Sequence, residues 1–225
     1  MQIRRFIFVG IVIALLAALV ALSKKQAEIA RDTSCQGTLT CIAIAMQDYH
    51  ERYGHFPPAF LAGKDGKPAH SWRILLLEFL DSQTFESYRF DEPWDGANNK
   101  KLVDKMPTCY ACPADPESKA NRQTNYFVVV GPDTAFPGFD TVKLDDIKRP
   151  HAKTLLVVEA VHQGVSWMEP KDLSFAKMSF KFNDPTQPSI SSNHRREPGA
   201  VMADGSKVWL AGINPDRLRT MLLIK

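Results

Sequence analysis

The chain has 225 residues, of which 44% are hydrophobic and 24% charged. These proportions exclude a wholly disordered chain, a collagen-like repeat and a polytopic membrane protein. A formal net charge of +3 is too small to call for a nucleic-acid partner, and the length suits one globular domain with an appendage.

Phe6 to Leu22 reads FIFVGIVIALLAALVAL, seventeen residues without a charge. As a helix it spans about 26 Å, at the short end of what crosses a bilayer. Arg4 and Arg5 precede it, and Lys24 and Lys25 follow. Ala21-Leu22-Ser23 is a poor match to a signal-peptidase site, so the expectation is an uncleaved anchor over residues 1–23, with the lipid bilayer as its partner. Residues 24–225 then form the head. From Lys24 to Tyr53 there is no proline and only one glycine, Gly37. Ile29, Leu39, Ile42, Ile44, Ala45, Met46 and Tyr49 recur at spacings that include three and four, which predicts a packed stripe. Gly54 with Pro57-Pro58 predicts the stop. The chain up to Tyr53 therefore reads as one long helix, half in lipid and half on the head.

Gly63 to Pro68 reads as a loop, and Ser71 as the cap of a short helix from Trp72 to Leu80. Asp91 to Gly96 is rich in turn residues, and Lys100 to Lys105 predicts one or two helical turns. Tyr126 to Val130 and Thr154 to Val161 read as strands, the second with both faces covered. Residues 178–198 read as an exposed loop. Ala200 to Leu210 predicts a hairpin with a two-residue type I′ turn at Asp204-Gly205. Asn214-Pro215-Asp216 opens a final helix with Leu218, Met221 and Leu222 on its apolar side. Strands follow a long helix without βαβ alternation, so the fold class is α+β.

Four cysteines, Cys35, Cys41, Cys109 and Cys112, are the first chemical candidates. Cys35 and Cys41 lie about 9 Å apart along a helix axis, too far for a disulfide. Cys35 is left to pair with Cys112 or Cys109, and a local Cys109–Cys112 bridge stays open. A redox CxxC wants a thioredoxin-like βαβ context, and a zinc site wants a second tight pair; the sequence offers neither. Glu159, His194 and Asp204 form a second candidate, a metal or hydrolytic site if the fold gathers them. No HExxH, GxSxG, P-loop or Rossmann spacing supports it. The plainer reading gives Asp204 to the turn, His194 to a loop and Glu159 to a basic partner.

Several segments together resemble a known family. His194, nine residues and then Asp204-Gly205 fit an H-x9-DG signature. Cys35 with Leu39 and Ala43 to His50, Tyr53-Gly54-His55-Phe56-Pro57-Pro58, Ser71 to Leu80, Phe90 to Asp95, Cys112-Pro113-Ala114-Asp115, Thr124-Asn125-Tyr126, Thr154 to Glu159 and Trp167 to Leu173 follow in order. This ordered set, over roughly residues 35–210, resembles the planctomycete-type DUF1559 family of pilin-like proteins. The resemblance implies a type IV pilin-like fold, in which the outer half of a long N-terminal helix packs on an antiparallel sheet with short extra helices. It also implies an exported head at the periplasmic or outer face of the cell membrane, tethered by a single pass, with other pilin-like subunits as candidate partners. Cys35 and Cys112 fall on matched family positions, so the resemblance favours Cys35–Cys112 and, with it, Cys41–Cys109. One departure stands out. Gly10 is followed by Ile11-Val12-Ile13-Ala14-Leu15, without the phenylalanine and glutamate of pilin-like members. That argues against prepilin processing and for a lone anchor.

The sequence thus reads as a membrane-anchored, exported pilin-like protein with a structural, assembly or surface-interaction role, no enzymatic activity and no cofactor. Two rivals are a pseudopilin-like component of a secretion apparatus and a metal-dependent hydrolase using Glu159, His194 and Asp204.

Overall fold

The computed structural model describes residues 2–194 and 197–225, with the side chains of residues 2–14, 28, 31 and 32 outside the described residues. The side chains of the first nine residues of the apolar run at 6–22 therefore lie outside the described residues. Among the described residues no helix is long and apolar enough to cross a membrane. The chain is mixed helix and sheet, with a main sheet that is antiparallel throughout.

Helix α1 spans Gln2–Tyr53. Its buried stripe is Cys35, Leu39, Ile42, Met46 and Tyr49. Steps of four, three, four and three keep these residues on one face. Ile44, expected in the stripe, is 56% exposed because it falls two residues past Ile42, on the opposite side. Ile29 is equally exposed, six residues before the first buried position. The helix stops at Gly54, whose φ of +76° lets its N–H reach His50 O at 2.8 Å. That left-handed turn favours glycine.

Strands β1 (Phe60–Ala62) and β2 (Pro68–Ser71) pair across the expected loop, a hairpin the sequence does not announce. Ser71 Oγ accepts from Arg73 N at 3.2 Å and caps α2 (Trp72–Leu75). The helix expected over Trp72–Leu80 is interrupted at Leu76 and resumes as α3 (Leu77–Leu80). Phe79 N bonds Leu76 O three residues back, so the ladder tightens there rather than ending. Helix α4 (Ser82–Ser87) is capped by Asp81, a 3-10 segment covers Asn99–Lys105, and α5 (Pro116–Ala120) is capped by Asp115.

The strand expected over 126–130 is two strands, β3 (Tyr126–Phe127) and β4 (Val129–Val130). The break is at Val128, whose N–H goes to Asp172 Oδ1 at 3.0 Å instead of to a strand. After β5 (Leu155–Glu159) and β6 (Leu173–Ser174) come β7 (Gly199–Met202) and β8 (Lys207–Trp209). The main sheet runs β3-β5-β7-β8, while β4 and β6 form a small parallel pair. Val157 and Val201 face the core shared with α1, whereas Val158 and Ala200 face a second core. Helix α6 (Pro215–Met221) closes that second core with Leu218, Met221 and Leu222. Burial on both faces explains the continuous apolar run of β5.

Two expectations need correction. Residues 178–198 are not simply exposed, because Met178, Ser189, Ile190 and Ser191 are buried and Ile190 joins the second core. The β7–β8 turn is not a two-residue type I′. Met202 N bonds Ser206 O at 2.8 Å, so Ala203, Asp204 and Gly205 form a three-residue loop. Only Gly205, at φ +79°, takes a positive φ. This is the pattern of a turn closed by one left-handed residue.

Candidate functional site

The four cysteines meet where α1 crosses the head. Cys35 and Cys41 project from α1, and Cys109 sits in a 3-10 turn, Thr108–Tyr110, that packs on it. Cys112 is fixed by its backbone, whose N–H donates to Asn125 Oδ1 at 2.8 Å. Asn125 is held in turn by Asp115 Oδ2 at 2.9 Å. The result places Cys35 Sγ 2.8 Å from Cys112 Sγ, with both residues 1% exposed. A hydrogen bond between Cys41 and Cys109 brings the Cys41 thiol down to about 7 and pushes Cys109 up. The bond between Cys35 and Cys112 likewise pushes the Cys112 thiol up and lowers Cys35. None of the four is cross-linked in the structure. A groove of about 570 Å³, lined by Gly37, Thr38, Cys41, Cys109, Cys112 and Pro113 among others, opens beside them.

A second group abuts the inner pair. Glu159, the last residue of β5, is 1% exposed at its side chain. Its Oε2 accepts from Gly199 N at 3.0 Å and from His194 Nε2 at 2.9 Å. Among the described residues its Oε1 has no hydrogen-bond partner. The His194 ring meets Trp209 edge to face, with centroids 4.7 Å apart. Cys35, Cys112 and His194 each offer one ligand atom within 4.8 Å of the others. Chemically, this set can serve as two soft ligands and an imidazole for a metal, or as a thiol pair beside a carboxylate–histidine couple.

Asp204 does not join this cluster. It is exposed at the hairpin tip, where Oδ1 accepts from Ser206 N at 2.9 Å and from Ser206 Oγ at 2.6 Å. The trio of Glu159, His194 and Asp204 is thus reduced to a pair. Sequence reasoning also misses the buried Arg73–Asp172 pair at 2.7 Å. Arg73 lies over Trp72 and Phe127, and its Nε and Nη2 donate to Tyr126 O at 3.1 and 3.0 Å. Asp172 Oδ1 also accepts from Trp72 Nε1 at 3.1 Å. Burial pushes the Asp172 carboxyl up to about 6 against the pull of Arg73.

A family model described as SBP_bac_10, Protein of unknown function (DUF1559), matches residues 26–145. No curated protein and no solved structure matches the chain. The matched stretch takes in the outer part of α1, the capped α2 and both Cys109 and Cys112, and by it the chain belongs to the DUF1559 family.

Proposed function

We propose that this chain is an exported, pilin-like protein, tethered to the cell membrane by its N-terminal helix, whose head serves a structural, assembly or surface-interaction role. One observation carries the reading. A single helix is buried along Cys35–Tyr49 against β7 and β8, yet shows Leu15, Leu16, Leu19, Val20 and Leu22 each more than half exposed. Apolar side chains left bare along one helix need a cover other than water. A bilayer around residues 6–22 supplies it, and places the sheet-packed half just outside the membrane. The groups that a catalytic reading would use are not gathered: Asp204 bonds Ser206 at the hairpin tip, apart from Glu159, whose Oε2 serves Gly199 and His194. That favours a scaffold over a hydrolase.

Leu16→Arg tests the tether. A charge at mid-membrane costs roughly 2.5–3.5 kcal/mol on insertion scales. The wild-type chain should stay in the membrane pellet after carbonate washing, and the variant should move to the soluble or degraded fraction. Equal pelleting of both would overturn the tether. Mass spectrometry of the mature N-terminus separates a retained anchor from a processed one. Loss of secretion on deletion would instead favour a secretion-apparatus component.

A further inference from the structure

We propose that Cys35–Cys112 and Cys41–Cys109 form two disulfides that clamp α1 to the head, the outer one exchangeable through the groove and the inner one sealed. The geometry chooses the partners. Cys35 meets Cys112, and Cys41 and Cys109 line one groove together, so a local Cys109–Cys112 bridge would require the inner contact to break. The inner sulfurs stand 2.8 Å apart. Two thiolates on one tetrahedral zinc, with bonds of about 2.3 Å, sit roughly 3.8 Å apart. The inner pair is therefore placed for a bond to each other rather than for a shared ion.

The two pairs differ in access. Cys41 is half-buried and lines the groove with Cys109, whereas of the inner pair only Cys112 touches the groove wall, and both Cys35 and Cys112 are 1% exposed. At the outer pair, the Cys41 thiolate attacks a sulfur of an incoming disulfide, either a small-molecule disulfide or that of a dithiol oxidase. The incoming S–S bond breaks and one thiolate leaves. Cys109, as a thiolate, then attacks the Cys41 sulfur and expels the second thiolate. Two electrons pass to the oxidant, and the two protons lost by Cys41 and Cys109 end on its two thiols. The inner pair obeys the same balance. Both of its cysteines are 1% exposed although Cys112 borders the groove, so exchange at the inner bridge is slow until α1 lifts. The lowered Cys41 thiol suits it to the attacking role.

The clamp in the cell rests on the exported placement proposed above, and the experiment separates the two. The full-length chain is extracted from membranes with thiols blocked and mapped by non-reducing peptide analysis. The expected result is two cross-linked peptides, Cys35 with Cys112 and Cys41 with Cys109. Four blocked thiols in the extracted chain, with the same two bridges forming when a parallel unblocked sample is treated with glutathione disulfide, uphold the pairing and count against the exported placement. A Cys109–Cys112 link overturns the proposal. So do four thiols that stay unpaired after glutathione disulfide, or stoichiometric zinc released on thiol modification. Under mild reduction without denaturant, Cys41 and Cys109 should be alkylated at least tenfold faster than Cys35 and Cys112. Equal rates would overturn the inner–outer distinction. A Cys41→Ser/Cys109→Ser variant should keep the inner bridge, which makes the result independent of the outer one.

Discussion

Replacing Arg73 by methionine keeps most of the side-chain length and removes the charge from a fully buried ion pair of the head. Arg73 is 0% exposed, and Asp172 2% at its side chain. Breaking one side of such a pair strands the other charge and costs about 3–5 kcal/mol. The pH dependence sharpens the test. Asp172 is held at about 6 in the native chain, against 3.8 for an ordinary carboxyl, with burial as the main cause. A raised native value means that the folded state binds the proton more readily than the unfolded one. Stability from this group is therefore greatest below about pH 4, falls as pH rises towards 6, and is flat above, for a total of about 3 kcal/mol. Without Arg73 the opposing attraction is gone, so the native value climbs further and the falling window extends past 6. Urea unfolding of the full chain at about pH 5 and about pH 7.5 reads both effects. The variant should lose several kcal/mol at the higher pH and clearly less at the lower. Adding Asp172→Asn should recover part of the loss at the higher pH, since no buried charge is then left alone. A loss below about 1 kcal/mol, or one equal at both pH values, would refute the role given to this pair.

What the sequence shows and hides follows from where each signal lives. The stripe of Cys35, Leu39, Ile42, Met46 and Tyr49 is written in local periodicity, and Gly54 before Pro57 is local punctuation, so α1's packed half and its stop are legible. Asn214-Pro215 marks α6 for the same reason: Asn214 Oδ1 accepts from Arg217 N at 2.9 Å. The break at Val128 is not local, because it depends on a carboxylate 44 residues away. Nor is the Glu159–His194 bond, 35 residues apart, which joins two isolated polar letters only after β5 and the segment before β7 are in place. Helices α4 and α5 carried a usable signal that a hydrophobic reading passes over. Asp81 accepts from Thr84 N, and Asp115 from Ser118 N, each three residues on. Those cap spacings mark helices too short and polar to show a stripe.

Two further substitutions probe how α1 is seated on the sheet. Gly205→Val forces a β-branched residue to φ +79° and places its Cβ 3.2 Å from Gln47 Cγ of α1. It should cost about 1–3 kcal/mol in thermal or urea unfolding, and an unchanged stability would reject the turn geometry. Gly199→Ala tests the seat itself, because a side chain on β7 there would meet Leu39 of α1. A Cβ at Gly199 would lie 2.5 Å from Leu39 Cδ1, 3.5 Å from the Trp209 ring and 3.7 Å from Glu159 Oε2. Leu39 is 1% exposed and has little room to swing away, so the helix or the strand must give, at about 1–3 kcal/mol. Leu39→Ala alone opens a cavity and should cost about 2–5 kcal/mol. In the double variant the new methyl enters the space the leucine leaves. The two losses should therefore fall short of additive by about 0.5–3 kcal/mol, the coupling expected of residues in direct contact. Strict additivity would mean that α1 does not rest on β7 at this point. Leu39 lies one turn from Cys35 on the same buried stripe, so the helix would then lack one of the contacts by which it is read as joined rigidly to the head.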